Sequence, residues 1–135
     1  MSAAVVARMA PAGVALVLAA MAAVLAPPVR AAEDRDAALI AHGEQLYVVK
    51  ACAACHGPNV GPAPGRQLPG TAGLRKRYGN AKPAVLAERT DLDAAYVKLI
   101  VRKGLNFMPF FRKTEVSDTE LEAIAAYLAR NTPAH

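Results

Sequence analysis

The sequence has little cysteine: Cys52 and Cys55 are the only two in its 135 residues. No second cysteine pair follows them, and His42 and His135 are isolated rather than paired at ligand spacing. A structural zinc site, which needs four ligands, is therefore disfavoured. The sequence also lacks a convincing strand pattern, so a thioredoxin-like dithiol, which is expected beside a βαβ unit, is not indicated.

An excess of one charge is missing too. The chain has 16 Lys and Arg against 11 Asp and Glu, and without Arg8 and Arg30 the count is 14 against 11, or +3. So small an excess does not indicate binding to nucleic acid. The basic residues crowd the middle of the chain, between acidic stretches at 33–44 and 115–122. A positive face of this kind could steer an acidic partner, although an ordinary solvated surface would give the same counts.

What the chain does contain is the run Cys52-Ala53-Ala54-Cys55-His56, which predicts covalent attachment of haem c. Two thiols separated by two residues can each add to a vinyl group on one porphyrin edge, forming thioethers. The histidine that follows then lies under the ring, where its imidazole can ligate the iron. A disulfide is the alternative, since exported proteins often oxidise nearby cysteines, but the trailing histidine favours haem.

Residues 1–31 have the order of a secretory signal peptide. An arginine and an uncharged apolar stretch from 9 to 25 precede two prolines and a small-residue cut site, expected after Ala31. A retained membrane anchor is the alternative, because the apolar run lies near the lower limit for spanning a bilayer. The prolines favour cleavage, which predicts a periplasmic protein without a stable anchor. Residues 32–135 would then form one domain.

Methionine supplies the candidate for the sixth iron ligand. Three of the four methionines fall within residues 1–31, so Met108 is the only one expected in the exported protein. It lies between two predicted helices and is followed by Pro109. A thioether sulfur opposite an imidazole favours ferrous iron and raises the reduction potential. A gap-filling role in the core is the alternative for a lone methionine, but the loop setting favours iron ligation by His56 and Met108.

His42 is the competing ligand. It lies on the helix that leads into Cys52, about 15 Å from the attachment run at the ~1.5 Å rise of an α-helix. We therefore expect a surface histidine there. His135 is the terminal residue and is expected to be mobile.

Helical periodicity predicts an all-α domain. Apolar positions recur at helical spacing from Asp36 to about Ala51, and Gly43 within this helix suggests that another helix comes close. The segment 57–83 is rich in Gly and Pro and is predicted to be a loop, followed by a short helical turn through Glu88.

Two more helices are predicted after this turn. The first is capped by Thr90 or Asp91 and stops at Gly104. The last begins at a capping box formed by Ser117 and Glu120 and continues as a single apolar stripe.

These motifs together resemble the small monohaem cytochrome c family: Gly43-x-x-x-Tyr47 precedes the attachment run, and Met108-Pro109 and a capped carboxy-terminal helix follow it. The resemblance covers essentially the whole predicted domain. It implies a cytochrome c-like fold in which the first and last helices cross around one covalently bound haem, with Gly43 against Tyr127. It also implies an electron-transfer protein, not an enzyme, that serves redox partner proteins.

The stretch from Pro83 to Phe110, including Val101-Arg102-Lys103-Gly104, looks like the cytochrome subunit of flavocytochromes of the para-cresol methylhydroxylase type. That resemblance implies an electron donor such as a flavoprotein dehydrogenase that oxidises alkylphenols, and a respiratory acceptor. A carrier serving another dehydrogenase could share this segment.

A haem peroxidase with Met108 as a labile ligand is the enzymatic alternative. A single haem in so short a chain has no evident distal acid and base pair. With both axial positions filled, neither peroxide nor oxygen reaches the iron readily. The sequence therefore favours the carrier.

Further residues are candidates for surrounding the haem, of which only the first, a proline, is implied by the family resemblance. A proline carbonyl is expected to accept a hydrogen bond from His56, and Pro83 is preferred to Pro62. The candidates for contacting haem propionates are Tyr78, Arg75 and Arg77, unless they belong to an exposed basic loop. The aromatic residues expected to pack round the haem, or else to form an apolar docking patch, are Phe107, Phe110 and Phe111.

Overall fold

The computed structural model describes residues 28–58 and 68–133. Within these ranges the protein contains helices and connecting turns, with no strand beyond an isolated bridge between Leu105 and Met108. The α-helices are α1 Pro28–Val49, α2 Ala53–His56, α3 Pro69–Tyr78, α4 Ala94–Lys103 and α5 Asp118–Ala129. The short turn predicted after Pro83 is a 3-10 helix, Leu86–Glu88. The predicted all-α fold class is confirmed.

The chain divides into two compact units, Met1–Asp34 and Arg35–His135. Of the first unit, the structure describes only residues 28–34, which belong to α1. The core and the candidate site lie in the second unit. In the described part of the chain, no helix is both long and apolar enough to cross a membrane. The predicted signal peptide falls mostly outside the described residues, so its cleavage after Ala31 stays a prediction.

Helix α1 is longer than the sequence indicated. It is described from Pro28, whereas the sequence indicated a start near Asp36. It ends at Val49. Ala51 then adopts a left-handed conformation with φ 60°, which turns the chain into α2.

Helices α1 and α5 meet at Gly43. A Cβ at this position would lie 1.9 Å from the carbonyl oxygen of Ala123 and 2.9 Å from Cβ of Tyr127, so a larger residue would require the helices to move. One turn later, the ring of Tyr47 packs against that of Tyr127, with centroids 5.6 Å apart. The predicted close approach at Gly43, and its contact with Tyr127, are confirmed.

Helix α5 contributes most of the hydrophobic core. Its buried side chains are Leu121, Ala123, Ile124, Ala125, Tyr127 and Leu128. The buried apolar residues that complete this core are Leu46, Tyr47, Leu92, Val97 and Val116. The apolar stripe predicted for the last helix therefore faces the interior, where it joins α1, α4 and the connecting segments.

The predicted capping box fixes the start of α5. The hydroxyl of Ser117 accepts from the backbone N–H of Glu120 at 3.2 Å, and the carboxylate of Glu120 accepts from the backbone N–H of Ser117 at 2.8 Å. Lys50 forms an ion pair with the same carboxylate at 2.8 Å. The end of α1 is thus joined to the beginning of α5, next to the attachment run.

The prediction of a continuous loop over 57–83 was wrong, because it contains helix α3. Pro69 occupies the first turn, where it costs no helical hydrogen bond. Thr71 is buried, and its hydroxyl donates to the carbonyl oxygen of Gly57 at 2.8 Å. Packing against α2 therefore offsets the low helix propensity of a segment that contains two glycines.

The predicted cap of the following helix was also wrong. Asp93 caps α4 by accepting from the backbone N–H of Ala95 at 2.6 Å, rather than Thr90 or Asp91. The carboxylate of Asp91 is instead held by the guanidinium of Arg89 through two hydrogen bonds of 2.7 Å. The carboxylate of Asp91 is thus occupied by its ion pair with Arg89, and Asp91 does not cap α4.

Candidate functional site

The cysteine pair lies where α1 turns into α2. Cys52 is half-buried at the start of α2 and Cys55 is exposed. The structure does not join them in a disulfide. Burial raises the pKa of the Cys52 thiol, which favours the thiol over the thiolate.

His56 ends α2, and its imidazole packs against α3. A Cβ at Gly70 would lie 2.6 Å from both Nδ1 and Cε1 of the ring. Burial lowers the pKa of His56, which favours the neutral imidazole that acts as a metal ligand. The ring is thus confined on one side by the backbone of a helix that the sequence did not predict.

The expected hydrogen bond from His56 to Pro83 is not formed. Nδ1 of His56 is buried without a hydrogen-bond partner among residues 28–58 and 68–133, and Pro83 is exposed. The start of α3, at Gly70, lies against this side of the ring instead. Pro62, the other candidate, lies outside the described residues.

Met108 closes a tight turn after α4. Leu105 and Met108 exchange two backbone hydrogen bonds of 3.1 and 3.0 Å, and Asn106 between them has φ 53°. Gly104, the predicted helix stop, has φ 71°. A Cβ on it would also lie 2.8 Å from the carbonyl oxygen of Met108. This turn therefore requires Gly104 and fixes the backbone of Met108.

Cys52 and Met108 line the same apolar pocket. The remaining lining residues are Val101, Phe111, Val116 and Ile124. Its volume is about 20 Å³, which is too small to hold a porphyrin within the pocket itself. Cys52 and Met108 contribute a thiol and a thioether to this pocket, and Cys55 and His56 follow Cys52 in the attachment run. These four side chains are a donor set that fits a covalently attached haem.

The other predicted residues occupy different positions. His42 is exposed on α1, as expected of a surface histidine, whereas His135 lies outside the described residues. Phe111 lines the pocket. Phe107 is fully exposed, at 104%, and Phe110 is 62% exposed, so only one of the three aromatics contributes to the pocket.

The candidates for propionate contacts lie on α3 and not on the predicted loop. Arg75 and Arg77 are exposed near its end. Tyr78 is half-buried, and the guanidinium of Arg77 lies 5.5 Å from the centroid of its ring. Their contact with propionates stays a prediction.

Arg89 is the buried charged residue that the sequence analysis missed. Its side chain is only 5% exposed and pairs with Asp91, while its guanidinium lies 4.7 Å from the centroid of the Tyr78 ring. The hydrogen bond from Arg89 holds the pKa of Asp91 below its usual range. The only sequence signal is an arginine two positions before an aspartate, which is too common to predict a buried ion pair.

The helical fold and this donor set define a c-type cytochrome domain. A family model described as cytochrome C oxidase, cbb3-type, subunit III matches residues 38–128. That match spans more than half of the chain, so the chain belongs to this family of cytochrome c domains. Membership makes it a haem c protein and an electron-transfer protein rather than an enzyme, and the peroxidase alternative is not favoured.

A curated relative gives a more specific similarity. The cytochrome c subunit of 4-cresol dehydrogenase (hydroxylating) from Pseudomonas putida is 33% identical over 87 residues, which are 64% of this chain and 58% of that protein. The matched part of this chain thus spans less than two thirds of the relative's length. No solved structure shows a significant match.

Proposed function

We propose that this chain is a periplasmic one-electron carrier with a single haem c, tethered by thioethers to Cys52 and Cys55 and ligated by His56 and Met108. The observation that carries the proposal is that Cys52 and Met108, distant in sequence, line one apolar pocket. The bound haem would supply an iron that cycles between the ferrous and ferric states.

Each residue has a distinct part in this proposal. The two thiols anchor the cofactor, and burial lowers the pKa of His56, which favours the neutral, ligating imidazole. The sulfur of Met108, a soft ligand, favours the ferrous state. The apolar residues of the pocket keep water from that side of the site, which also favours the less charged iron.

The haem assignment is tested by producing the full chain in a bacterial host competent for cytochrome maturation. We expect one covalently bound haem per chain, a low-spin spectrum and a charge-transfer band from sulfur to ferric iron. Reversible reduction without turnover of peroxide is expected of a carrier. Colourless protein would contradict the proposal, and a high-spin spectrum would contradict ligation by Met108.

We further propose that the electron donor is a dehydrogenase, specifically a flavoprotein that oxidises alkylphenols, and that the electrons pass to a respiratory acceptor. Support comes from the named relative, a cytochrome c subunit of 4-cresol dehydrogenase. The native protein should copurify with a flavin-containing dehydrogenase, and its haem should be reduced when 4-alkylphenol is added. If the purified complex reduces the haem only with other substrates, the alkylphenol assignment is wrong.

The proposed form of the carrier begins at Ala32. Residues 1–31 act as the signal peptide, and residues 32–135 form the exported domain. Cell fractionation followed by intact mass measurement tests this boundary. A haem protein retained in the membrane with residues 1–31 intact would instead support an uncleaved anchor.

A further inference from the structure

Helix α3 contacts the attachment run through two consecutive residues, Gly70 and Thr71. We propose that this pair positions His56, so that the start of α3 sets the orientation of the imidazole and through it the reduction potential. The inference rests on the proposed function, in which His56 ligates the haem iron. It concerns residues outside the attachment run itself.

Gly70 determines how closely α3 approaches the imidazole. A Cβ there would lie 2.6 Å from Nδ1 and Cε1 of His56 and 2.8 Å from the carbonyl oxygen of Cys55. Real Cβ atoms are not found at such distances, so any larger residue must displace the ring, the helix or both. The glycine thus places a rigid backbone surface directly against one edge of the ring.

Thr71 holds the backbone that carries the imidazole. Its hydroxyl donates to the carbonyl oxygen of Gly57 at 2.8 Å, and the carbonyl oxygen of Cys55 lies 3.4 Å away. These carbonyls flank His56 in the sequence. Thr71 is only 3% exposed, so this hydrogen bond is shielded from water.

The need for such support follows from the length of α2. It has only four residues, and a single helical turn is unstable on its own because nucleation is costly. The orientation of His56 must therefore be fixed from outside α2. Gly70 acts on the ring and Thr71 on the backbone, and together they restrict the rotation and the translation of the imidazole.

Helix α3 offers a matched control. Gly73 lies on the same helix, yet a Cβ there would meet no heavy atom within 4 Å. The substitutions Gly70→Ala and Gly73→Ala therefore change helix propensity in the same sense, but only the first affects His56. A similar contrast exists at Thr71, because Thr71→Val removes the donor and keeps the shape, whereas Thr71→Ser keeps the donor.

The test compares the reduction potential and the electron paramagnetic resonance spectrum of the ferric holoprotein in these four variants. For Gly70→Ala we expect a shifted potential, altered g-values and a partial loss of the low-spin signal. Thr71→Val should shift the reduction potential and the g-values in the same direction as Gly70→Ala does, but by a smaller amount. Gly73→Ala and Thr71→Ser should match the parent protein.

A Gly70→Ala holoprotein with the potential and g-values of the parent would overturn the inference while leaving the haem assignment intact. If that variant gives no holoprotein, Thr71→Val decides, since it adds no volume, and parental values for it overturn the inference. Equal shifts in Gly70→Ala and Gly73→Ala would also overturn the inference. They would show that the potential responds to the helix propensity of α3 and not to contact with the His56 imidazole. A parent protein without haem would refute the proposed function, and this inference with it.

Discussion

At the scale of single residues, Met108 owes its position to the backbone on both sides of it. Gly104 allows the chain to leave α4 in a conformation open to few other residues, and the turn to Leu105 then closes with two hydrogen bonds. The N–H of Phe111 donates to a carbonyl of α4 at 2.9 Å, which restrains the chain after Met108. A sulfur held in this way can act as a ligand without large reorganisation of the loop.

Replacing Met108 by Ala should lower the reduction potential and open the iron to added ligands. The physical reason is the loss of a soft sulfur ligand that favours ferrous iron, and the shift should be a fraction of the ~0.8 V range that axial ligands control. Spectroelectrochemical titration and cyanide binding measure these effects. Phe107→Ala, at the exposed neighbouring position, is the control. An unchanged midpoint potential in Met108→Ala would refute the ligand assignment.

At the scale of elements, the contact between α1 and α5 depends on the absence of a side chain at Gly43. Gly43→Ala gains helix propensity of about 1 kcal/mol, but its added methyl would collide with the backbone of Ala123. Overpacking of this kind costs roughly 1–3 kcal/mol. We therefore expect a net loss in the free energy of unfolding, measured by urea denaturation. His42→Ala, on the exposed face, should change it by less than about 0.5 kcal/mol.

The carboxylate of Glu120 at the start of α5 should make the free energy of unfolding depend on pH. The hydrogen bond from Lys50 and the backbone N–H of Ser117 lower the pKa of Glu120 from 4.5 to about 2. The stabilisation from this carboxylate is therefore complete above pH 4.5 and is lost as the pH falls towards 2.

Glu120→Gln keeps an acceptor for the cap but cannot titrate, so its urea midpoint should fall less steeply than that of the parent protein below pH 4.5. Lys50→Gln removes the charged partner of Glu120, so the urea midpoint of this variant should also depend less on pH than that of the parent protein. Identical acid dependence in the parent and Glu120→Gln proteins would show that this carboxylate does not couple folding to pH.

The elements that could be predicted from the sequence are those whose determinants lie close together in the chain. For α5, Ser117, Glu120 and the apolar stripe are all local, so both the cap and the buried face were predicted correctly. Helix α3 is stabilised by a hydrogen bond from Thr71 to Gly57, which lies outside the helix. The sequence of α3 itself contains Pro and Gly, which are poor helix formers. Local patterns therefore indicated a loop where tertiary contacts stabilise a helix.

The same distinction applies to the candidate site. The attachment run is a local motif, and Met108 followed from the scarcity of methionine. The role of Asp91 was mistaken because Arg89 holds it in an ion pair that only the folded chain creates. The contact of Gly70 with His56 likewise depends on how α3 packs against α2, and no motif in the sequence predicts this packing.

At the scale of the whole molecule, the protein has a small core that is dominated by one helix. A domain of about 100 residues buries a modest fraction of its surface on folding. Within residues 28–58 and 68–133, the exposed large apolar side chains are Val48, Val49, Tyr96, Leu99, Leu105, Phe107 and Phe110. Under the proposed function, a covalently tethered porphyrin adds a large apolar group to this limited core.

Replacing both Cys52 and Cys55 by Ser should therefore yield an unstable protein. A cofactor that binds only the folded state stabilises it, and a covalent tether makes that contribution permanent. Circular dichroism melts of the parent and the double variant measure the effect, with a markedly lower Tm expected for the variant. A folded double variant with the parental Tm would show that folding does not depend on haem.

The close meeting of the first and last helices at Gly43 also affects the order of events during the proposed export. Its partners are remote: the nearby pair of Glu44 and Tyr127 is separated by 83 positions, and such distant pairings form late. A chain that is exported amino-terminus first presents its two thiols before α5 has emerged to pack against this region. The enzymes that join porphyrin to sulfur would thus act on an unfolded chain. Packing of the last helix would then bury the region around the attached haem.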